Sequence, residues 1–303
     1  MKTTPKVFIT VLLCLVSVFI LFPIIMVFFN SFKAGAYISS DPFALPVFEC
    51  NLPKCELPDC TLPGCCNLTD CNRSDHVTYV GLANYFTGAK KIAFFRSFGY
   101  SLWITVMSVA GILLTSSMLA WFITRVKNKL TSIIYYSLVF SMIVPFQMVM
   151  FTVTKMANLM HLDNPIGIIV IYIGFGAGLS TFMFSGFIKS IPLAMEEAAM
   201  IDGATPPQIF WHVILPMLKS QAITIGILEI MWIWNDYLLP YLTLGSEYRT
   251  IPIAIQYLRG GYGAVDWGSM MAMLVLAMLP VIVFYAICQK HIIKGVLAGA
   301  VKG

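Results

Sequence analysis

The sequence predicts an all-α integral membrane protein, six transmembrane helices with a helix–turn–helix on the cytoplasmic side between the fourth and fifth. Three observations lead there. Hydrophobic residues make up 59% of the 303 and charged residues only 11%, against roughly 25% charged in a soluble domain. Six apolar stretches reach the roughly 20 residues that cross a bilayer. Lysine and arginine are also placed so that the connections alternate between two sides. In such a chain the net charge of +5 reports topology, and no nucleic-acid partner is expected.

The six stretches are residues 7–29, 98–123, 131–153, 165–188, 221–244 and 268–289. Lys2 and Lys6 before the first would suit a secretory signal. The apolar run is longer than a signal core, however, and no small-x-small cleavage site follows. It reads as an uncleaved first span. With the N-terminus inside, the cytoplasmic segments hold Lys2 and Lys6, then Arg125, Lys127 and Lys129, then residues 190–220, then a tail with Lys290, Lys294 and Lys302. The short outer loops hold Lys155 in one and Arg249 and Arg259 in the other. Short loops obey the positive-inside rule, so both termini are expected in the cytoplasm of a multi-pass protein of the cell (plasma or inner) membrane, embedded in lipid.

Residues 30–97 form a long outer loop. Cys50, Cys55, Cys60 and Cys65 recur every five residues in a C-x-L-P-x repeat, and Cys66 and Cys71 complete six within an insert over 50–71. Proline at this density excludes regular helix. On an outer face six cysteines suit disulfides, for which about fifteen connectivities exist. Metal ligation is the other chemistry open to them, although the C-x-x-C pairs of zinc ribbons are missing; free thiols are the third. Asn67 and Asn72 head weak glycosylation sequons.

In the second span Gly111, Ser116 and Ser117 offer small surfaces for close packing in lipid. The third carries Pro145 at mid-depth with Gln147 beside it. Broken membrane helices tend to line cavities, because freed backbone groups need protein or water; a simple packing kink is the alternative. Gly167, Gly174, Gly176 and Gly178 let other helices approach the fourth span.

Residues 190–220 are the polar-edged stretch. Pro192 suits the first turn of a short helix, and Glu196 and Glu197 favour the positive end of its dipole. Gly203 is a stop able to take the left-handed conformation. Thr205, Pro206 and Gln208 form a capping box that restarts helix at once. Pro216 is expected to kink the second limb. Ala198 and Ala199 leave the first helix free of bulk, so a partner can approach closely. A solvated amphipathic loop is the plainer reading of the same pattern.

The fifth span carries Glu229, Asn235 and Asp236 among Ile, Leu and Trp. An ionisable group inside a span costs several kcal/mol unless paired or wet. Glu229 and Asn235 are six residues apart, about 600° of helix, and need no common partner. Trp232 and Trp234 read as an interfacial belt. Isoleucines lie four residues to either side of Glu229, so its partner is expected from another helix, with Gln147 the candidate. His76, His161, His212 and His291 are scattered, and neither a catalytic motif nor a G-x-x-x-x-G-K-[ST] phosphate loop appears.

Glu197-Ala198-Ala199, Gly203, Val213 and Leu215-Pro216, at their spacings, resemble the EAA loop of ATP-binding-cassette (ABC) importer permeases, with Val213 where that family usually has Ile. The Ile143–Gln147 segment, Trp234-Asn235-Asp236-Tyr237 with Pro240, and the tail 295–303 are similar to carbohydrate-importer permeases of the maltose type. The resemblance runs from about residue 98 to 303, a single transmembrane domain, and leaves out the cysteine insert. It implies that Glu196, Glu197, Ala198, Ala199, Asp202, Gly203, Val213, Leu215 and Pro216 belong to a coupling hairpin seated in a groove of an ATPase subunit. With the polar groups read above inside the spans, Gln147, Glu229, Asn235 and Asp236, as candidates for the pathway, it implies a solute that is a sugar or sugar derivative. The implied partners are two ATPase subunits, a second related permease and an external solute-binding protein. ATP would bind to the partners, and this chain would be neither an enzyme nor a holder of a cofactor. A self-powered, ion-coupled secondary transporter and a membrane scaffold are the competing readings; the first would usually show internal repeats.

Overall fold

The computed structural model describes residues 3–47, 78–245, 247–259 and 265–300. The six insert cysteines lie outside the described residues. The described chain is helical, with two isolated β-bridges and no strand. Four helices are long and apolar enough to cross a membrane without interruption: α1 (Thr3–Asn30), α4 (Phe94–Arg125), α7 (Pro165–Ile188) and α14 (Trp267–Ala300). The expected third and fifth spans are not continuous. The third is a bent pair, the fifth is interrupted at residues 236–237, and a second bent pair joins the residues before the fifth to its start; the count reaches six only if each pair is one span.

The first pair is α5 (Lys129–Ile143) and α6 (Phe146–Leu159), bent by 110°. Pro145 forces this. A residue before proline is pushed out of the helical region, and Val144 is extended at φ −73°, ψ 115°. The second bend, 74°, lies between residues 206–217 and α11 (Lys219–Asn235). It falls at Leu218, two residues after the position expected from Pro216. Pro216 has no N–H to donate, and the helix ahead of it relaxes into a wider π turn, Phe210–Ile214. The expected fifth span also stops early. α11 ends at Asn235, and a separate short helix, α12 (Leu238–Thr243), follows.

The chain divides into two compact units, residues 1–95 with 254–280, and 96–253 with 281–303. In the first, the link after α1 is fastened by polar side chains of α3 (Ala83–Lys91). Asn84 Nδ2 donates to the carbonyls of Ser31 and Lys33, each at 2.8 Å, and Ser31 Oγ meets Tyr85 Oη at 2.7 Å. Lys33 is buried and donates through Nζ to the Asp41 carbonyl at the end of α2 (Gly35–Ser40). α3 is tied to the start of α14 by the Lys91–Asp266 ion pair. Burial pushes the Asp266 carboxyl up, but hydrogen bonds from Lys91 and Ser269 outweigh it and hold the group below the ordinary carboxylate range.

The second unit packs α4, α7 and α11 around two apolar clusters. One holds Ala120, Phe184, Ile188, Ile191, Ile209, Phe210, Ile214, Leu218 and Ile225. The other holds Ile104, Val109, Ile112, Ile168, Tyr172, Ile233 and Leu239. Ser116 and Ser117 are fully buried on α4, as small interface residues. Gly178 admits α5: a Cβ there would lie 2.8 Å from the Leu138 carbonyl oxygen. Gly174 differs from the expectation, since its surroundings are open. Large apolar side chains of α4, α5 and α7 point outward, Tyr136, Phe140 and Ile166 among them, as a lipid solvent requires.

Candidate functional site

The hairpin is built from its own end signals. α8 (Ala194–Ile201) starts two residues beyond Pro192, which therefore precedes the helix instead of opening it. It ends at Gly203, which takes φ +83°. The Gly203 N–H reaches the Met200 carbonyl at 3.0 Å and the Ala204 N–H the Ala199 carbonyl at 2.9 Å. These are the two bonds of a Schellman cap. Thr205 donates its N–H and its hydroxyl to Gln208 Oε1, each at 2.8 Å. The second limb follows at once: α9 (Pro206–Ile209), the π turn, then α10 (Leu215–Met217).

The sequence-predicted residues of this hairpin divide by direction. Glu197, Ala198, Asp202, Gly203 and Pro216 are exposed. They share the outer surface with Met200 and with Ile201, which is 86% exposed. Ala199, Val213 and Leu215 are partly buried and pack on the cluster around Phe210 and Ile214. The small side chain of Ala199 thus serves the inside of the hairpin, and of these two alanines only Ala198 lies on the outer face.

Glu196 departs furthest from expectation. It is 4% exposed, although it was expected beside Glu197 as part of the surface offered to an ATPase. Its Oε1 accepts from Arg125 Nε at 2.7 Å and also pairs with the second guanidinium nitrogen, Nη2, at 2.7 Å. Its Oε2 accepts from Trp121 Nε1 at 3.0 Å. Arg125 Nη2 also donates to the Ile191 carbonyl at 3.1 Å. Trp121 and Arg125 are four apart on α4 and so share one face. Sequence reading took Arg125 only as a cytoplasmic charge and passed over Trp121. The four-residue spacing at a helix end was the available signal.

The second constellation surrounds the Pro145 break. A cavity of about 410 Å³ is walled by Met142, Pro145, Phe146, Phe175, Glu229 and Trp232, with smaller neighbours between them. Glu229 is 3% exposed. Its partner is Ser180 of α7, whose hydroxyl donates to Oε1 at 2.9 Å. Gln147, the expected partner, is exposed and is not in this wall. The chain turns through 110° at this break, and of the residues just after Pro145 it is Phe146, not Gln147, that lines the cavity. Gly176 gives room first to Ile112 and then to the carboxylate, since a Cβ there would stand 2.5 Å from Ile112 Cδ1 and 3.1 Å from Oε2.

Asn235 and Asp236, though adjacent, do different things. Asn235 is exposed and bonds back to the Met231 carbonyl at 2.7 Å. Asp236 Oδ1 caps α12, accepting the Leu238 N–H at 3.0 Å, and Oδ2 accepts from the buried Tyr172 hydroxyl at 2.9 Å. Trp234 is buried against Phe98 and takes no part in an exposed belt; Trp232, 41% exposed, stands edge-on to Tyr172.

Comparison with known proteins adds four findings. Residues 111–297 match the family model described as "Binding-protein-dependent transport system inner membrane component". The chain is 40% identical over 222 residues to the "Probable starch degradation products transport system permease protein AmyC" of Thermoanaerobacterium thermosulfurigenes, covering 73% of this chain and 81% of that one. It is 36% identical over 204 residues to the "Multiple sugar-binding transport system permease protein MsmG" of Streptococcus mutans, covering 66% and 73%. Among solved structures, a chain of a bacterial ABC transporter involved in the import of the acidic polysaccharide alginate superposes with a TM-score of 0.70 at 22% identity. That match covers 96% of this chain and 98% of the other, and shares the fold.

Proposed function

The chain belongs to the family of binding-protein-dependent transport system inner membrane components, and from that premise we propose that it is the permease subunit of an ATP-driven sugar importer. Starch-derived oligosaccharides are the first class to test, after what AmyC is named for. The bent pair α5–α6 counts as one span and α11 as another, giving six, with both termini and the hairpin in the cytoplasm. An ATPase subunit receives the outer face of α8, where Met200 and Ile201 project beside Glu197 and the low surface of Ala198. A second permease, a second ATPase and an external binding protein complete the assembly. The chain itself hydrolyses nothing; ATP binds to its partners.

One observation supports this most. The first limb of a well-capped hairpin exposes Leu193, Met195, Met200 and, at 86%, Ile201; several large apolar side chains left in water mark an interaction surface and suit insertion into a groove. The chemistry of the cavity agrees with a sugar. Flat aromatic rings (Phe146, Phe175, Trp232) and one carboxylate, Glu229, are the groups that engage the apolar faces and hydroxyls of a polyhydroxylated ring.

The test is co-expression with the neighbouring genes and purification without crosslinker. An ATPase and a second permease copurify, and the complex in proteoliposomes takes up labelled starch-derived oligosaccharides only with ATP inside and binding protein outside. Solitary purification, or uptake driven by an ion gradient without ATP, refutes the proposal.

A further inference from the structure

Three helix ends meet the hairpin, but only one is held by charge. α7 enters it through Lys189, and α11 leaves it after Leu218; both are joined by the chain itself. α4 has no covalent continuity with the hairpin. It is joined instead by Arg125 and Trp121, which together occupy both oxygens of Glu196 and, through Arg125, the Ile191 carbonyl. The Arg125 side chain is 20% exposed and that of Glu196 5%. Trp121 also packs at 5.7 Å on Phe210 in the second limb. Breaking such a buried pair by removing one member leaves an uncompensated charge, so the contact resists opening.

We propose that Arg125 and Trp121 are positioning residues that make α4 a third driven element of transport. The Arg125–Glu196–Trp121 junction stays closed through the cycle, and displacement of the hairpin by the ATPase passes directly to the end of α4 as well as along α7 and α11. The fork of arginine fits this duty where lysine does not, because one planar group serves the Glu196 carboxylate and the Ile191 carbonyl together. The inference rests on the hairpin being the ATPase contact, and it adds where the motion goes.

The experiment uses the assembled complex with its ATPase and binding protein in proteoliposomes, measuring solute taken up per ATP hydrolysed. Arg125→Gln and Glu196→Gln each lower that ratio about tenfold, within the 5–150-fold of ordinary intersite coupling. Arg125→Gln is the more severe, since it leaves the carboxylate unpaired. The double variant, whose two amides can bond across the junction, is no worse than Arg125→Gln alone. Trp121→Phe keeps the ring on Phe210 and loses only the N–H; it gives a smaller loss at normal membrane level and guards against a folding artefact. A purely structural junction would change the amount of complex and leave the ratio alone. That result, or effects of the two Gln variants that simply multiply, overturns the inference. If the wild-type complex itself shows no ATP-dependent uptake, it is the importer assignment that fails, and the variant comparison is then read from hydrogen exchange at Ile191–Glu196, which rises together in both single variants if the junction exists.

Discussion

Replacing Gly203 isolates the backbone geometry of the hairpin from its packing. The residue sits at φ +83°, where an L-residue brings its Cβ against the following carbonyl at about 1–2 kcal/mol. A Cβ built at this position has no atom within 4 Å, so no packing change adds to or offsets that cost. Gly203→Ala is therefore expected to weaken the Schellman cap by about 1–2 kcal/mol, a factor of roughly 5–30 in the closed population. Gly203→Asn costs less, because asparagine tolerates the left-handed region, and Gly203→Val costs more. Hydrogen exchange in peptides covering residues 198–209 of the assembled complex reads this directly. The Gly203 and Ala204 amides, bonded to Met200 and Ala199, should exchange faster in the order Asn, Ala, Val, by about an order of magnitude for Ala. Solute moved per ATP should fall in the same order. Equal exchange in the glycine, alanine and valine proteins would refute the claim that this cap holds the hairpin closed.

Four further outcomes are expected. Glu229→Leu leaves the Ser180 hydroxyl unmatched at about 1–3 kcal/mol and lowers uptake about tenfold, whereas Glu229→Gln keeps that bond and retains most uptake; wild-type rates in both would remove Glu229 from the pathway. Asp236→Ala removes the α12 cap, worth about 0.5–2 kcal/mol, and the Tyr172 bond with it, so the melting temperature of the purified complex falls by several degrees and Tyr172→Phe falls less. Asp266 is held below its unfolded pKa, so its ion pair with the half-exposed Lys91 stabilises above about pH 4 and is lost as pH falls further; Asp266→Asn should flatten that acid limb, by under about 1 kcal/mol. Deleting residues 50–71 is expected to leave uptake intact, since loop closure depends weakly on length, and the six cysteines should resist thiol reagents on intact cells; loss of uptake or ready labelling contradicts one half or the other.

What the sequence disclosed about the hairpin was whatever is decided locally. Gly203, Thr205 and Gln208 act on neighbours within five residues, and each stands where end-signal chemistry places it. The break at Pro145 was legible for the same reason, because proline acts on the residue before it. The size of the bend was not, since Val144 and the packing of α5 on α7 set it together. Partners distant in sequence escaped. Ser180 lies 49 residues from Glu229 and Arg125 lies 71 from Glu196; no periodicity within one helix records that the two will meet. Gln147 was a reasonable partner by chemistry and failed by direction. Asp236 read as an interfacial acid because its two duties, capping α12 and holding Tyr172, exist only once α11 has ended.

The π turn at Phe210–Ile214 bears on how this stretch tolerates change in length. Ile209 and Ile214 both point into one apolar cluster although five residues separate them, about 500° of ordinary helix, which would turn them well apart. The wider turn absorbs that extra residue and returns Ile214 and Leu218 to the phase of the stripe. The segment thus carries the geometry of a one-residue insertion already accommodated. Losing a residue there would relax the turn toward regular helix and keep the downstream stripe in register, while gaining one would rotate Leu218 and all of α11 away from the core. Along the rest of the limb the two kinds of length change would be about equally disruptive; at this one turn, evolution can shorten the chain more easily than lengthen it.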